Sequence, residues 1–136
     1  MHHVEPLKED KLRQVISRLM KNFERMCSAP EVPLSEARPP KGAGVYMIFF
    51  EGGLQYVGSS GRLRDRIRGD LLRGDKTSHT LINKLCKSRN WSRDEVIDFL
   101  RKRATIKFIE VDDEYEAKLL EDLLIAIYRP RYNERP

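Results

Sequence analysis

Several features that would place a protein in a specialised class are scarce or missing in this sequence. There are two cysteines, Cys27 and Cys86, far apart and each within an apolar helical pattern. We therefore predict buried free thiols rather than a disulfide or a metal pair. No apolar run is long enough to span a membrane and no signal-peptide pattern occurs, so we expect a cytoplasmic protein without membrane contact. Aromatic residues make up 8%, yet hydrophobic residues reach 40%, which excludes a disordered chain.

Charge is plentiful and its balance is positive. Charged residues make up 35% of the chain and the net charge is +5. This balance is compatible with a polyanionic partner but does not identify one. The length of 136 residues fits one domain with one real core.

Two apolar runs separated by a glycine-containing break lie at the centre of the sequence. Residues 45–50 (VYMIFF) and residues 54–57 (LQYV) flank Glu51-Gly52-Gly53, a pattern that predicts a β-hairpin. Both faces of the first run are apolar, so we expect the hairpin to be covered on both sides.

An arginine-rich helix is predicted directly after the hairpin. Its apolar positions recur every four residues and predict a stripe that packs inward: Leu63, Ile67 and Leu71. Another face carries Arg62, Arg66 and Arg73. One strand–turn–helix unit would therefore carry two tyrosines, Tyr46 and Tyr56, and a guanidinium.

The tripeptides that bracket the hairpin, together with three later residues, resemble the GIY-YIG nuclease domain. The matching residues follow in order and at that family's spacing: Gly44-Val45-Tyr46, Tyr56-Val57-Gly58, Arg66, Glu121 and Asn133. Either tripeptide alone would be a weak signal, whereas all five elements in order make a strong one. The resemblance spans residues 42–134 and is greatest to the version in the nuclease subunit of bacterial nucleotide-excision repair.

The resemblance implies a metal-dependent DNA endonuclease that uses Mg²⁺ or Mn²⁺ and leaves 3′-hydroxyl and 5′-phosphate ends. DNA, double-stranded or branched, is the expected partner. The competing hypothesis is a catalytically degenerate module that binds nucleic acid or serves as a scaffold in a complex.

Five residues receive catalytic roles from the resemblance: Tyr46, Tyr56, Arg66, Glu121 and Asn133. Glu121 lies within an apolar helix, where a carboxylate is costly unless it is paired or metal-bound, and it is the predicted metal ligand. Arg66 suits the scissile phosphate because its planar fork grips phosphate oxygens in pairs. Tyr46 is the better candidate to activate water. Tyr56 is expected to hold the hydrogen-bond network of the site, and Asn133 to orient it through hydrogen bonds. Without the resemblance, a structural Glu, a solvated Arg and core tyrosines would explain the same residues.

Two positions depart from the family pattern. Family members often have Lys or His where this chain has Ser59, and many have His or Tyr where it has Asp70. Both changes remove a candidate base or proton donor, which is the basis for the competing hypothesis. His79, which begins the next helix, and Ser59 are candidate auxiliary groups.

Basic residues near these motifs are candidates for phosphate contacts: Arg62, Arg64, Arg68, Arg73, Lys84 and Lys87. Segment 84–103 contains seven Lys or Arg residues and three acids. A solvated face explains these charges equally well.

The later periodicities predict two helices near 78–103, a third strand at 104–111 and a helix at 114–128. Thr77 or Ser78 is the expected cap of the first helix, and Ser92 with Glu95 forms a capping box for the second. The last helix is apolar on nearly every side, which predicts that it is buried. The pair near 78–103 is interpreted as an insertion in the nuclease core.

The N-terminal part of the chain lies outside the resemblance. Residues 6–27 predict an amphipathic helix with an apolar stripe: Leu12, Val15, Ile16, Leu19, Met20, Phe23 and Met26. We favour a helix that covers its own domain in a monomer, although a homodimer seam or DNA contact would fit the same pattern. Residues 28–42 contain four prolines and predict a linker or an extended surface segment.

These elements predict an N-terminal helix and linker at residues 1–41, followed by a nuclease domain at residues 42–136. The expected fold is a small α/β (α+β) domain, with a three-stranded, mainly antiparallel sheet flanked by helices and an added N-terminal helix.

Overall fold

The predicted hairpin lies within a four-stranded antiparallel sheet in the computed structural model, which describes residues 8–73 and 79–134. Strands β2 (Gly44–Phe50) and β3 (Gly53–Ser60) form the hairpin, and β4 (Thr105–Glu110) pairs with the other side of β2. Strand β1 (Val32–Pro33) pairs with β4, so the order across the sheet is β1-β4-β2-β3. The antiparallel sheet flanked by helices was predicted, and the difference is the fourth strand.

Strand β1 comes from the proline-rich segment that was expected to be a linker or a surface segment. It pairs Val32 with Ile106 and Pro33 with Thr105. Pro33 is tolerated because an edge strand leaves one row of backbone groups unpaired. Leu34 and Ala37, just beyond β1, are buried. Two residues are too few to show the alternation that reveals longer strands, so the sequence pattern did not indicate this one.

One side of the sheet, which we call the tyrosine face, carries Tyr46, Ile48, Phe50 and Tyr56. Its cover is made of a π-helix (Asp65–Arg73), α2 (Thr80–Arg89) and α3 (Arg93–Arg103). The predicted inward stripe of Leu63, Ile67 and Leu71 is fully buried here.

Local capping explains where the helices of the tyrosine face begin. Ser92 and Glu95 form the predicted capping box of α3. At α2 the cap is His79, whose side chain accepts a hydrogen bond from the Leu81 N–H. The predicted caps Thr77 and Ser78 lie outside the described residues.

The other side of the sheet, which we call the α4 face, carries Val45, Met47 and Val57. Helix α4 (Glu114–Tyr128) covers it, with Asp113 as the cap and Arg129 in the left-handed region just before Pro130. The prediction that this helix is buried all round is wrong. Its side chains Tyr115, Leu119, Ile127 and Tyr128 are exposed. A helix on a sheet buries one stripe, and the described residues of the chain do not cover the rest of its apolar surface.

Helix α1 (Glu9–Ser28) packs on the α4 face with only its second half. Met26 is buried there, and Leu19 and Phe23 pack partly against the same core. The rest of the apolar stripe is exposed to solvent: Leu12, Val15, Ile16 and Met20. The expectation that α1 covers its own domain therefore holds for one half of the helix.

Both cysteines are free, as predicted. Cys27 is exposed and Cys86 is partly buried, so the prediction of two buried thiols was wrong. Cys27 lies on the solvent side of the last turn of α1, where the apolar periodicity gives no indication of which side is covered. Across residues 8–73 and 79–134, none of the helices combines the length and apolarity that membrane crossing requires.

Candidate active site

The first half of the site is set by the pairing of β2 with β3. Tyr46 lies opposite Gly58, and Tyr56 lies opposite Ile48, so the two tyrosines are diagonal neighbours on one face. Their ring centroids are 6.2 Å apart. A Cβ atom at position 58 would lie 2.4 Å from the Tyr46 Oη, so any other residue would displace the phenol. This contact explains why a glycine closes the Tyr56-Val57-Gly58 tripeptide.

Gly44 in the first tripeptide is required for a similar reason. A Cβ atom there would lie 2.4 Å from the Ile109 carbonyl oxygen and 2.6 Å from the Leu63 Cδ2. The absence of a side chain lets β2, β4 and the start of the arginine-rich segment approach closely.

Arg66 reaches the tyrosines from the π-helix. Its side chain is 22% exposed, its guanidinium donates to the Asp70 Oδ2 at 3.2 Å, and its positive charge acts on Tyr46. Asp70, one of the two departures from the family pattern, therefore holds the guanidinium on the side of Tyr46. π-helical turns are rare and occur often at functional sites.

His79 completes the cluster on the tyrosine face. Its Nε2 lies 3.0 Å from the Tyr46 Oη, and its ring centroid is 5.9 Å from that of Tyr56. Burial, with Arg66 and Arg93 adding to it, lowers the pKa of His79 to about 3. The imidazole is therefore neutral at physiological pH.

Both tyrosines keep their protons near neutral pH. Burial raises the pKa of Tyr46 well above its ordinary value, and the nearby Arg66 opposes that rise only in part. Burial also raises the pKa of Tyr56, against a hydrogen bond to Thr80 that lowers it. Neither phenol is a base by itself in this environment.

Glu121 approaches the same edge of the sheet from α4. Its Oε1 accepts a 2.6 Å hydrogen bond from the Ser59 Oγ, and its Oε2 lies 3.5 Å from the Lys118 Nζ. The side chain is 13% exposed. Its charge acts on both tyrosines. Ser59, the second departure from the family pattern, is thus the partner of the predicted metal ligand.

The surroundings of Glu121 fit a divalent cation with one protein carboxylate. No group of three or more His, Cys, Asp or Glu side chains that could hold a metal occurs in the described part of the chain. Mg²⁺ commonly binds through one or two carboxylates and fills its other positions with water and substrate phosphate. A partly buried, hydrogen-bonded Glu121 meets that requirement.

Asn133 lies at the free edge of β3. Its Oδ1 accepts from the Val57 N–H at 2.8 Å, and its Nδ2 donates to the Val57 carbonyl at 2.9 Å. The amide replaces the neighbouring strand that β3 lacks on that side. Asn133 thereby fixes the backbone next to Tyr56.

The predicted phosphate contacts fall into two groups. Arg64, Arg68 and Lys84 donate to the backbone carbonyls of Pro39, Ala37 and Tyr132, and these bonds hold neighbouring segments in place. The other three, Arg62, Arg73 and Lys87, are exposed.

Lys118 and Thr80 are site neighbours that sequence reasoning missed. Lys118 precedes Glu121 by three residues, so the helical i, i+3 spacing would have indicated it. Thr80 contacts Tyr56 only because α2 folds over the hairpin, and the sequence contains no signal for that contact.

Comparison with known proteins extends the resemblance. No family model matches the chain. UvrABC system protein C of Syntrophotalea carbinolica is 36% identical over 99 residues, which cover 71% of this chain and 14% of that protein. The protein of the same name from Caldicellulosiruptor saccharolyticus is 34% identical over 98 residues, with the same coverage of 71% and 14%. The chain thus spans 14% of the length of the curated relatives it matches.

Among solved structures, the chain is similar to the GIY-YIG N-terminal endonuclease domain of UvrC from Thermotoga maritima, bound to magnesium. The identity is 26%, the match covers 84% of this chain and 97% of that one, and the TM-score is 0.48. The motif residues occur in order, and the alignments to the UvrC proteins cover more than two thirds of the chain. This chain belongs to the GIY-YIG nuclease family.

Proposed function

We propose that this protein is a metal-dependent DNA endonuclease that hydrolyses phosphodiester bonds. The observation that carries the proposal is the meeting of two groups at the β3 edge. Tyr46, Tyr56 and Arg66 lie together on the tyrosine face, and Glu121 reaches the same edge from α4. Phosphodiester hydrolysis needs a cation, a phosphate-binding group and a proton acceptor, and this cluster holds candidates for each.

Glu121 is the proposed ligand of Mg²⁺ or Mn²⁺, with Ser59 and Lys118 holding its carboxylate in place. When bound, the cation would neutralise charge that develops on the scissile phosphate and favour deprotonation of an adjacent acid. A single carboxylate leaves room for substrate oxygens and water around the ion.

Arg66 is the proposed ligand of the scissile phosphate, because its fork can donate two parallel hydrogen bonds to phosphate oxygens. Tyr46 is the proposed acceptor of the proton from the attacking water. Because burial holds this phenol protonated, Tyr46 would first have to release its own proton to solvent, and only the resulting phenolate could take the proton from water. The positive charge of Arg66 and of a bound cation would favour that release. Tyr56 supports the network through Thr80, and Asn133 supports it through the β3 backbone.

The exposed basic residues Arg62, Arg73 and Lys87 are the proposed contacts for the DNA backbone, in double-stranded or branched DNA. A cleft of about 650 Å³ beside the site, lined in part by Ser59, Ser60 and Lys118, lies next to Glu121. Lys118 contributes a further positive charge to this cleft.

The competing hypothesis of a degenerate module rested on Ser59 and Asp70. In the structure Ser59 hydrogen-bonds to Glu121 and Asp70 to Arg66, contacts that fit an intact site and support the enzyme over the degenerate module. We therefore favour the enzyme.

A nicking assay on supercoiled plasmid tests the proposal. We expect cleavage with Mg²⁺ or Mn²⁺, no cleavage with a chelator, and ends that carry 3′-hydroxyl and 5′-phosphate groups. Binding of DNA without cleavage under any divalent metal would instead support the degenerate module.

A further inference from the structure

The buried histidine next to Tyr46 is the group whose role the proposed function leaves open. His79 is 0% exposed, and its side chain contacts both tyrosine rings. Because its pKa is far below neutral, the ring is neutral and weakly basic, so it has no acidic proton to transfer and is a poor proton acceptor under working conditions. The base or proton-donor role considered from the sequence therefore does not suit it. Its contribution is that of a fixed hydrogen-bonding group.

The α2 backbone decides which nitrogen of His79 carries the hydrogen. The Leu81 N–H donates to the His79 Nδ1 at 3.2 Å. A nitrogen that accepts a hydrogen bond carries no hydrogen, so the neutral ring is protonated at Nε2. The Nε2 lies 3.0 Å from the Tyr46 Oη, and it is therefore the donor in that bond.

The Tyr46 oxygen therefore accepts a hydrogen bond from His79 and lies near the Arg66 guanidinium, whose positive charge favours the ionised phenol. The hydroxyl hydrogen of Tyr46 must then point away from the His79 Nε2. The negative charge left by its loss would be stabilised by the His79 Nε2–H and by the charge of Arg66.

We propose that His79 is a positioning residue, whose Nε2–H holds the Tyr46 oxygen and directs the Tyr46 hydroxyl at the reacting groups. This inference rests on the proposed nuclease function and refines the same site. The α2–α3 pair, interpreted from the sequence as an insertion, then supplies part of the active site, because the orientation of His79 depends on the first turn of α2.

Two substitutions of His79 separate hydrogen bonding to Tyr46 from helix capping. His79→Asn keeps an acceptor for the Leu81 N–H, since Asn is among the best N-caps, but its short amide does not reach Tyr46. His79→Gln places an amide N–H near the Nε2 position and caps poorly. We expect His79→Asn to lower kcat about 10- to 100-fold with KM little changed, and His79→Gln to stay within a few-fold of wild type.

The reverse order, with the Asn variant active and the Gln variant impaired, would show that His79 serves only as a cap and would overturn the proposal. Wild-type kcat in both variants would overturn it as well. In a Tyr46→Phe background we expect the Asn and Gln variants to have equal residual rates, because the shared partner is gone. An Asn variant that loses as much in that background as it does alone would contradict the inference.

The tautomer can be measured without any activity. Nitrogen-15 NMR of labelled histidine, with His79→Asn to assign the signal, should show a neutral ring protonated at Nε2 across the neutral pH range. Protonation at Nδ1, or titration near the ordinary histidine pKa, would overturn the inference. If the wild-type protein cleaves no DNA, the proposed function fails and the catalytic role of His79 fails with it, while this spectrum still decides the geometry.

Discussion

The two faces of the sheet are stabilised by different interactions. The tyrosine face buries polar groups, Tyr46 and His79 among them, and pairs each with a neighbour; no buried side-chain N or O atom is unpaired in the described part of the chain. The α4 face is apolar in its core and contributes one site residue, Glu121. Buried polar groups are costly unless satisfied, so the tyrosine face tolerates few arrangements. The α4 face is held by packing, which tolerates apolar substitution better.

The site lies at β3, where the two faces meet. The hairpin carries Tyr46 and Tyr56, the π-helix carries Arg66, and α4 brings Glu121 around the edge strand. A candidate site divided in this way depends on the sheet as a rigid base. The predictions below test this division of the site between the two faces of the sheet, and they are ordered from the largest expected effect to the smallest.

Removal of the Glu121 charge should have the largest effect on cleavage. Glu121→Gln keeps an acceptor for the Ser59 Oγ, so we expect a folded protein that has lost about 10³-fold or more in Mg²⁺-dependent rate. Plasmid nicking and thermal melting measure the two outcomes. Asp122→Asn is the matched control, since it also loses a carboxylate beside Lys118 but should keep the rate within a few-fold. Cleavage at the wild-type rate by the Gln variant would show that Glu121 is not the metal ligand.

On the tyrosine face, Arg66→Lys should lower the rate by about 10²- to 10³-fold, because lysine keeps the charge but not the paired donors. Single-turnover cleavage under saturating enzyme is the measurement. Arg64→Lys, which lies just before the π-helix and is bonded to the Pro39 carbonyl, should change the rate little. If the two variants behave alike, Arg66 is a general phosphate contact.

The buried histidine should make folding sensitive to acid. The pKa of His79 is lowered to about 3 in the folded protein, so below its ordinary value of 6.5 the unfolded chain binds a proton that the folded chain does not. Stability therefore falls as pH drops from that value towards 3, by roughly 1.4 kcal/mol per pH unit. Between neutral pH and about pH 4.5 we expect a loss of about 2–3 kcal/mol in the free energy of unfolding.

Urea unfolding at the two pH values measures this loss. His79→Asn should lack the histidine contribution, so its stability should change less with pH than that of wild type. Equal pH dependence in both proteins would show that His79 is solvated or charged in the folded state.

The smallest effect should come from the exposed half of α1. We expect a monomer by sedimentation, because a single helix face of about three turns is small beside the roughly 1,200–2,000 Å² buried in stable interfaces. Ile16→Asp should then change neither the mass nor the melting temperature. Met26→Asp, in the buried half, should unfold the helix from the α4 face and lower the melting temperature. A wild-type dimer that Ile16→Asp dissociates would assign the exposed stripe to a homodimer.

Much of the molecule could be predicted without coordinates where a local pattern carried the information. The hairpin, the capping box of α3, the inward stripe at Leu63, Ile67 and Leu71 and the start of α4 depend on neighbours within a few residues. The motif residues were identified in the same way, from tripeptides and spacing. The errors concern relations over long distances: strand β1, the exposed side of α4, the exposed Cys27 and the half-covered stripe of α1.

The sequence by itself determined most of the elements, the family and the residues proposed for the site, since these depend on residue type and periodicity. Only the tertiary structure decided that Ser59 holds Glu121 and that His79 donates to Tyr46. These partners are up to 62 residues apart. The hydrogen bonds between them exist because packing brings distant segments of the chain together, and no local pattern records which side chains then meet.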